Sequence, residues 1–341
     1  YSYTLYWIYN TMVDQQLLKK FQSQVEQATH IAIFGHDNPD GDAIWSMLWL
    51  WRIIEKMEKK VSYFASPKAS KIFDFLPDIE KIQTEFDYSN RYDLIIFVDF
   101  SPYTRTVFSA GKYDYFDSKQ LIVIDHHIGD TPMHALALKD DKADSNCEWI
   151  FENTKKIRSD WYDSDVATCL YLGIATDTGS FQYDKQWSRS LANAAELVDL
   201  WANKSLVTKK IFWTLKLSQL KFVSHIMPRF TDDDGIWYIR YGSNEYEQFD
   251  LDREEMAGYM TTLISKIEWL KIALIFKIET DCIKISFRSQ SPDINGAELA
   301  GQFWWWWHFY AAGAKVMLAL WEDPVDRVKN VVEIVKEKII V

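Results

Sequence analysis

Glycine and cysteine are both scarce in this sequence. Only 12 of its 341 residues are glycine, about half the usual share of roughly 7%. The three cysteines lie far apart and form no CxxC pair, which argues against a disulfide framework and against a structural zinc site. They are Cys147, Cys169 and Cys282. Cysteines of this kind fit a reducing compartment, and we expect the protein to be cytoplasmic.

An excess of basic charge is also absent. The chain carries 38 Lys and Arg residues against 49 Asp and Glu residues, which gives a net charge of −11. Holding long nucleic acid on a surface needs clustered basic residues that displace counterions, so that class of function is disfavoured. A small anionic substrate that is held through bound metal ions remains compatible with this charge.

No apolar run is long enough to predict a membrane span. Residues 1–11 are rich in aromatic side chains but lack the basic start of a signal peptide. We therefore expect no membrane partner. Residues 1–11 are treated as an upstream tail, with Met12 as the candidate start of the protein.

The hydrophobic pattern predicts an α/β protein. Between residue 31 and about residue 180, short β-branched runs alternate with longer helical patterns, which indicates a parallel sheet with helices on its faces. Helical patterns continue to about residue 228, and two strand patterns follow at 270–278 and 282–288. The predicted parts are a parallel-sheet domain at 12–195, a helical connector at 196–228 and a smaller α/β domain at 229–341.

Two clusters of potential metal ligands follow strand patterns. The first is His36-x3-Asp40-x-Asp42, in which the turn at 38–41 lets the neighbouring side chains converge. We expect Asp42 to lie where a helix begins, with its carboxylate near the free backbone amides of that helix. The second cluster is Asp125-His126-His127, directly after an apolar run.

Two single carboxylates join these clusters. Asp99 ends the apolar strand pattern at 94–98, where an ionised side chain is costly unless it is paired or bound to metal. Asp177 ends a largely apolar helix, at the unfavourable end of the helix dipole for a carboxylate. Because ligands bind outside the carboxyl ends of parallel strands, we expect all these side chains to meet in one crevice.

The ligand types favour Mn²⁺ or a similar divalent ion, because carboxylates and imidazoles are present without thiolates. Asp99 is a natural bridging ligand. Two ions at about 3.5 to 4 Å would activate a water and stabilise charge on a phosphoryl oxygen. Taken singly, Asp40 and Asp42 could be a turn residue and a helix cap, but the two clusters together favour a metal site.

These motifs resemble those of the DHH phosphoesterase superfamily, which is named for the triplet seen at Asp125-His126-His127. The resemblance covers nearly everything from His30 to the last helix. It implies that His127 contacts the scissile phosphate and that Asp125 is a second catalytic residue. It also implies one metal ion held by His36, Asp40 and Asp99, and a second held by Asp42, Asp99, His126 and Asp177.

The region at 229–341 resembles the DHH-associated substrate-binding domain. The similarity lies in Ser286-Phe287-Arg288-Ser289 and in His308 followed by Ala311-Ala312-Gly313. In that family the arginine and the histidine grip a phosphate or base, and a guanidinium meets phosphate with two donors. A salt bridge at the rim is the alternative for the arginine. The candidate substrate-binding residues are Arg288, Ser289, His308 and Arg105.

A two-domain chain of this length is similar to the group of bifunctional oligoribonucleases and 3′-phosphoadenosine 5′-phosphate phosphatases, also called nanoRNases. The resemblance implies an enzyme with two Mn²⁺ ions that hydrolyses short oligoribonucleotides to mononucleotides and 3′-phosphoadenosine 5′-phosphate to AMP. The alternatives are a phosphodiesterase for cyclic or linear dinucleotides and, outside the enzymes, a nucleotide-binding sensor with impaired catalysis. The motifs do not separate these substrates, and the oligomeric state stays open.

Tryptophan stands where the family has glycine. The chain has Trp304-Trp305-Trp306-Trp307 in place of a glycine run and Trp45 beside the metal site, and Trp201 and Trp321 occupy further glycine-like places. The 12 glycines and 16 tryptophans together make 28 residues, which is near the usual share of glycine. We hypothesise that the gene uses UGA for glycine and that UGA was read here as tryptophan. The alternative is an aromatic platform on which bases stack.

Overall fold

The computed structural model describes residues 15–339, apart from 38, 101–105, 128, 156–161, 183–187, 252, 265, 269 and 307–310. The chain forms two compact units, Tyr1–Thr214 and Leu215–Val341. The division falls inside the predicted connector at 196–228. Among the predicted features, the tail at 1–11, Arg105 and His308 lie outside the described residues.

The first unit contains a five-stranded sheet. Its strands are β1 (His30–Phe34), β2 (Lys60–Phe64), β3 (Leu94–Val98), β4 (Gln120–Asp125) and β5 (Leu136–Lys139). They lie in the order β2-β1-β3-β4-β5, and every neighbouring pair is parallel. The predicted parallel sheet is therefore confirmed. The short strand β5 was not predicted, because four residues are too few to show a period.

The helices of this unit cover the sheet. They are α1 (Gln15–Gln27), α2 (Gly41–Lys56), α3 (Tyr113–Asp117), α4 (Asn146–Thr154), α5 (Ser164–Asp177), α6 (Arg189–Asp199) and α7 (Lys204–Val207). Asp163 caps α5 by accepting the backbone N–H groups of Asp165 and Val166.

Successive side chains of the central strands enter two different apolar layers. Ile96 and Ile124 lie in one layer, together with α2 and α5. Phe97 and Val123 lie in the other, which is rich in phenylalanine. Because both faces are covered, these strands read in the sequence as continuous apolar runs.

The strand order reverses between β1 and β3. From β1 the chain passes to β2 on one side and then to β3 on the other. The crevice outside the carboxyl ends of strands at such a switch point is where ligands bind in open α/β sheets. His36 follows β1 and Asp99 follows β3, so both residues lie at this crevice.

The second unit is a six-stranded mixed sheet with helices. Its strands are β6 (Thr231–Asp233), β7 (Ile236–Gly242), β8 (Ile272–Ile278), β9 (Cys282–Ser289), β10 (Trp304–Trp306) and β11 (Ala311–Met317). Its helices are α8 (Leu217–Ile226), α9 (Arg253–Ile264), α10 (Gly296–Ala300) and α11 (Pro324–Ile339). The strands lie in the order β10-β11-β9-β8-β7-β6, and β7 and β8 run parallel.

The two faces of this second sheet are also apolar. Val328, Val332 and Val335 of α11 pack with the inward side chains of β8 and β9. Phe222 of α8 and Met260 of α9 belong to a separate apolar cluster with β7. The predicted strands at 270–278 and 282–288 correspond to β8 and β9. The helix α10 ends at Ala300, and the strand β10 begins at Trp304.

Candidate metal centre

The segment after β1 supplies three polar side chains. His36 is buried, and its Nδ1 lies 2.9 Å from the carbonyl oxygen of Asp37. Because a carbonyl only accepts, this nitrogen carries the proton, and Nε2 is the nitrogen that can bind a metal. Asp40 caps α2 by accepting the backbone N–H of Ala43 at 3.1 Å. Asp42 lies in the first turn of α2 and is fully buried.

The sequence predicted that the carboxylate of Asp42 would lie near the free amides of its own helix. The structure shows instead that a different helix holds this carboxylate. It accepts the backbone N–H groups of Asn146 at 2.5 Å and Cys147 at 2.9 Å, at the start of α4. The cap of α2 is Asp40, whose side chain accepts the N–H of Ala43. The unsatisfied amides of a helix start favour an anion, and here they orient a side chain from a different helix.

Asp99 lies between the two ligand clusters. Its backbone has φ of 64°, a left-handed conformation that aspartate tolerates better than most residues. Its Oδ2 lies 3.6 Å from Nε2 of His36, and its Oδ1 lies 3.3 Å from Nε2 of His126. The two oxygens of one carboxylate therefore face different clusters, as a bridging ligand requires.

His126 connects the second cluster to Asp177 and to Asp42 of the first cluster. Its Nδ1 lies 3.2 Å from the carbonyl oxygen of Ala143, which makes Nε2 the nitrogen available to a metal. That Nε2 lies 3.2 Å from Oδ2 of Asp177 and 3.8 Å from Oδ2 of Asp42. Asp177 is the last residue of α5, as the sequence predicted.

Three overlapping groups of these side chains could hold metal ions, because the ligand atoms within each group lie within 4.8 Å of one another. The groups are His36, Asp40 and Asp99; Asp42, His126 and Asp177; and Asp99, His126 and His127. Every predicted metal ligand belongs to at least one group. Oδ1 of Asp99 is buried and makes no hydrogen bond among the described residues, so the donor set fits a bound cation.

The charge balance of the site also fits a cation. Burial and the nearby charge of Asp99 raise the pKa of Asp42 to about 7. Burial alone would lower the pKa of His36, but the carboxylates of Asp40 and Asp99 raise this pKa well above its usual range. Carboxylates that are crowded together away from water resist ionisation, and a divalent ion would relieve that repulsion.

The two predicted catalytic residues contact each other. Asp125 is fully buried. Its Oδ1 accepts the backbone N–H of His127 at 3.1 Å and lies 2.8 Å from Nδ1 of the same imidazole. Nδ1 of His127 is 3.7 Å from Oδ1 of Asp99, so this imidazole lies at the edge of the ligand set.

The predicted substrate-binding residues that the structure describes lie in the second unit. Arg288 and Ser289 end β9. Arg288 is half-buried and donates to the carbonyl oxygen of Phe287 at 2.7 Å. Ser289 is buried, and its hydroxyl donates to the carbonyl oxygen of Ser291 at 3.1 Å.

Sequence motifs did not identify the segment at 143–148, which supports both clusters through Ala143, Asn146 and Cys147. A signal was present: Ser145 caps α4 and accepts the backbone N–H of Glu148 at 3.0 Å. Serine followed three residues later by glutamate is the capping-box pattern of a helix start. That pattern could have placed the amides of α4, although not their contact with Asp42.

Comparisons with known proteins agree with this fold. Residues 30–174 match the N-terminal domain of the DHH family. The chain is 26% identical over 289 residues to the bifunctional oligoribonuclease and PAP phosphatase NrnA of Bacillus subtilis, covering 84% of this chain and 89% of that protein. It is 23% identical over 309 residues to the protein of the same name from Thermus thermophilus, covering 91% and 89%.

A solved structure shares the fold. An exopolyphosphatase-related protein from Bacteroides fragilis superposes with a TM-score of 0.81 at 21% identity, over 96% of this chain and 97% of that chain. No helix among the described residues is long and apolar enough to cross a membrane. The domain match spans the strands that position His36, Asp99 and His126. The match to the DHH family therefore covers residues 30–174, and over most of its length the chain is similar to proteins named bifunctional oligoribonuclease and PAP phosphatase NrnA.

Proposed function

We propose that this protein is an Mn²⁺-dependent phosphoesterase that hydrolyses short oligoribonucleotides to mononucleotides and 3′-phosphoadenosine 5′-phosphate to AMP. The observation that carries the proposal is the convergence of three overlapping ligand groups at the carboxyl ends of β1, β3 and β4. The names of the relatives from Bacillus subtilis and Thermus thermophilus support this pair of substrates. A cytoplasmic location fits the three free, buried cysteines.

The metal ions would be held in two sets that share Asp99. The first set is His36, Asp40 and Asp99, and the second is Asp42, Asp99, His126 and Asp177. Oxygen and imidazole donors suit Mn²⁺, and a bound pair supplies an activated water and charge stabilisation at a phosphoryl oxygen.

The protein's own side chains would orient the phosphate. Asp125 holds Nδ1 of His127, so Nε2 is the nitrogen that would face the scissile phosphate. In the second unit, Arg288 would bind a phosphate through two guanidinium donors. We propose Ser289, His308 and Arg105 as further substrate-binding residues. The net charge of −11 supports short substrates over long nucleic acid.

We also propose that several tryptophans stand at positions where the natural product has glycine. Trp201 supports this idea, because it lies just after α6 with φ of 68°. Its N–H donates to the carbonyl oxygen of Val198 at 3.0 Å, and the N–H of Ala202 donates to that of Leu197 at 3.0 Å. This is the Schellman motif, in which the left-handed residue is usually glycine.

Buried tryptophans give further support. The indole nitrogens of Trp45, Trp49 and Trp149 are buried without a hydrogen-bond partner among the described residues, whereas a buried indole N–H usually has one. The codons decide the matter: a UGG codon at any of positions 304 to 307 would refute the recoding. Tryptophans that are present in the folded protein should weaken its activity by overpacking at Trp45.

Product analysis tests the proposed activity. The protein with tryptophan at 45 and 304–307 and a variant with glycine at these positions are each incubated with Mn²⁺ and a five-nucleotide RNA, and the products are separated by chromatography. Stepwise release of mononucleotides is expected, and Asp99→Ala and Asp125→Ala should abolish it. Cleavage of cyclic or linear dinucleotides alone would overturn the RNA substrate. Nucleotide binding without turnover, unchanged by Asp99→Ala, would indicate a sensor.

A further inference from the structure

We propose that Lys139 is a positioning residue for His127 and acts through Asp125. This inference rests on the proposed hydrolysis, in which His127 contacts the phosphate. Lys139 belongs to none of the sequence motifs, and it lies on β5, a strand that the sequence did not predict.

The pairing of two strands places Lys139 beside Asp125. β4 and β5 run parallel, and Asp125 is the direct partner of Lys139 in their register. Side chains of paired residues on neighbouring strands leave the same face of a sheet. Nζ of Lys139 consequently lies 3.1 Å from Oδ2 of Asp125. The ion pair is set by the sheet itself and does not depend on a loop.

The two oxygens of Asp125 have separate partners. Oδ2 faces the ammonium of Lys139, and Oδ1 faces Nδ1 and the backbone N–H of His127. Asp125 is fully buried, and an ionised carboxylate in that position needs a cation or several donors. By holding Oδ2, Lys139 fixes the direction in which Oδ1 points.

The orientation of His127 follows from that carboxylate. A carboxylate oxygen only accepts hydrogen bonds, so Nδ1 of His127 carries the proton. The ring plane is then fixed, and Nε2 has one direction relative to the ligand set. Lys139 also donates to the carbonyl oxygen of Gly129 at 3.0 Å. This second bond ties the chain that leaves His127 back to β5.

The proposed role of Lys139 does not include metal binding. Asp125 belongs to none of the three ligand groups found among the described residues, and His127 belongs to one of these groups but to neither of the two proposed metal sets. Loss of the Lys139 ammonium should therefore disturb the phosphate contact and leave metal binding nearly intact. Removal of an outer residue that orients an active-site side chain commonly lowers activity by about 10- to 100-fold.

The test compares three variants of the full chain with glycine at 45 and 304–307. Lys139→Met keeps most of the apolar stem and removes the charge, and Lys139→Arg keeps the charge. Lys142→Met is the matched control, because Lys142 is an exposed lysine on the following turn. We expect kcat to fall about 10- to 100-fold in K139M, to recover at least in part in K139R and to stay unchanged in K142M. KM and the affinity for Mn²⁺, measured by calorimetry, should change less than about threefold in all three variants.

Several outcomes would overturn the proposal. It fails if kcat of K139M equals that of K142M, or if K139M loses Mn²⁺ binding together with turnover. If K139M does not fold, Lys139→Gln replaces it, and a kcat for K139Q equal to that of K142M has the same meaning.

A second measurement distinguishes failure of the proposed role of Lys139 from failure of the proposed hydrolysis. In protein labelled with ¹⁵N-histidine, the Nδ1 signal of His127 should shift in K139M and not in K142M. An absence of turnover in the parent chain would refute the hydrolysis. An unmoved His127 signal would refute the role of Lys139.

Discussion

Cys147 donates its backbone N–H to Oδ1 of Asp42 across 2.9 Å, and this bond joins the start of α4 to the first turn of α2. Asn146 donates in the same way to Oδ2. Asp42 is a predicted metal ligand, so its direction depends on where α4 lies. The residues that hold α4 in place are therefore part of the site.

Gly173 allows this close approach, and Gly173→Ala should disturb it. A Cβ added at Gly173 would lie 2.3 Å from Sγ of Cys147 and 2.9 Å from Oδ1 of Asp42. The contact forces α4 and α5 apart, so we expect the free energy of unfolding to fall by about 1 to 3 kcal/mol. The affinity for Mn²⁺ should fall as well. Denaturant unfolding and calorimetry measure the two effects.

Cys147→Ala supplies the control for that variant, because it removes Sγ, the nearest of the three obstructing atoms, and leaves Cβ of residue 147 at 2.8 Å and Oδ1 of Asp42 at 2.9 Å. The double variant G173A/C147A should recover part of the lost stability, which appears as a coupling energy in a double-mutant cycle. Strictly additive effects of the two substitutions would mean that the predicted clash is absent.

Arg189→Met should destabilise the first unit strongly. The guanidinium is nearly buried and meets Glu152 through two bonds, at 3.0 and 2.7 Å, and Asp140 at 2.8 Å. Removing it leaves the half-buried Glu152 and Asp140 without their cation, together with the buried Glu148, whose Oε2 lies 3.6 Å from Nε of Arg189. The expected loss in the free energy of unfolding is about 3 to 5 kcal/mol.

Urea unfolding of R189M measures this loss. The exposed Arg91 offers a matched control, since R91M removes a similar side chain from the surface and should change stability by less than about 0.5 kcal/mol. Equal midpoints for the two variants would contradict the structural role of Arg189. A smaller Mn²⁺ affinity in R189M that is still folded would show that the effect reaches Asp42.

The ends of β1, β3 and β4 could be predicted from the sequence because these strands are covered on both faces. Such strands read as apolar runs, and the first charged residue marks where each one ends. Asp99 and Asp125 were identified by this break. The convergence of their side chains followed from the parallel topology alone.

The contacts that orient the ligands could not be predicted in the same way. Asn146 and Asp42 are 104 residues apart in the chain, and no local period encodes their contact. The strand β5 is too short to reveal itself, so Lys139 had no predicted neighbour. The left-handed backbone of Asp99 leaves no mark in the sequence, because aspartate occurs in many other conformations.

Metal binding should strengthen as the pH rises. In the protein without metal, the pKa of Asp42 is raised to about 7 by burial and by Asp99. The pKa of His36 is also raised well above its usual range, because Asp40 and Asp99 outweigh the effect of burial. Both groups hold protons at pH 6, and both must release them to become ligands. The affinity should therefore increase up to roughly tenfold per pH unit for each proton released.

Calorimetric titration with Mn²⁺ at pH 6, 7 and 8 measures this dependence. Pairs of buffers with different ionisation enthalpies give the number of protons released. In Asp42→Asn one of the two groups is gone, so the proton count at pH 6 should fall by about one. An affinity that is constant from pH 6 to 8 would mean that neither group is protonated in the metal-free protein.

Trp201→Gly should stabilise the protein. Trp201 has φ of 68°, and its side chain is 82% exposed, so the indole offers little packing in return for a left-handed backbone. A left-handed conformation costs a residue with Cβ about 1 to 2 kcal/mol. Glycine avoids most of this cost but loses more entropy on folding. The expected net gain in the free energy of unfolding is about 1 kcal/mol.

Two controls separate relief of backbone strain from loss of an exposed indole. Trp201→Ala removes the indole and keeps Cβ, so its stability should stay within about 0.5 kcal/mol of the parent. Trp213 is 80% exposed, with φ of −121°, so Trp213→Gly should give no gain. Thermal unfolding of the three variants tests the order. If W201G is no more stable than W201A, position 201 does not require glycine, and the support that it gives to recoding is lost.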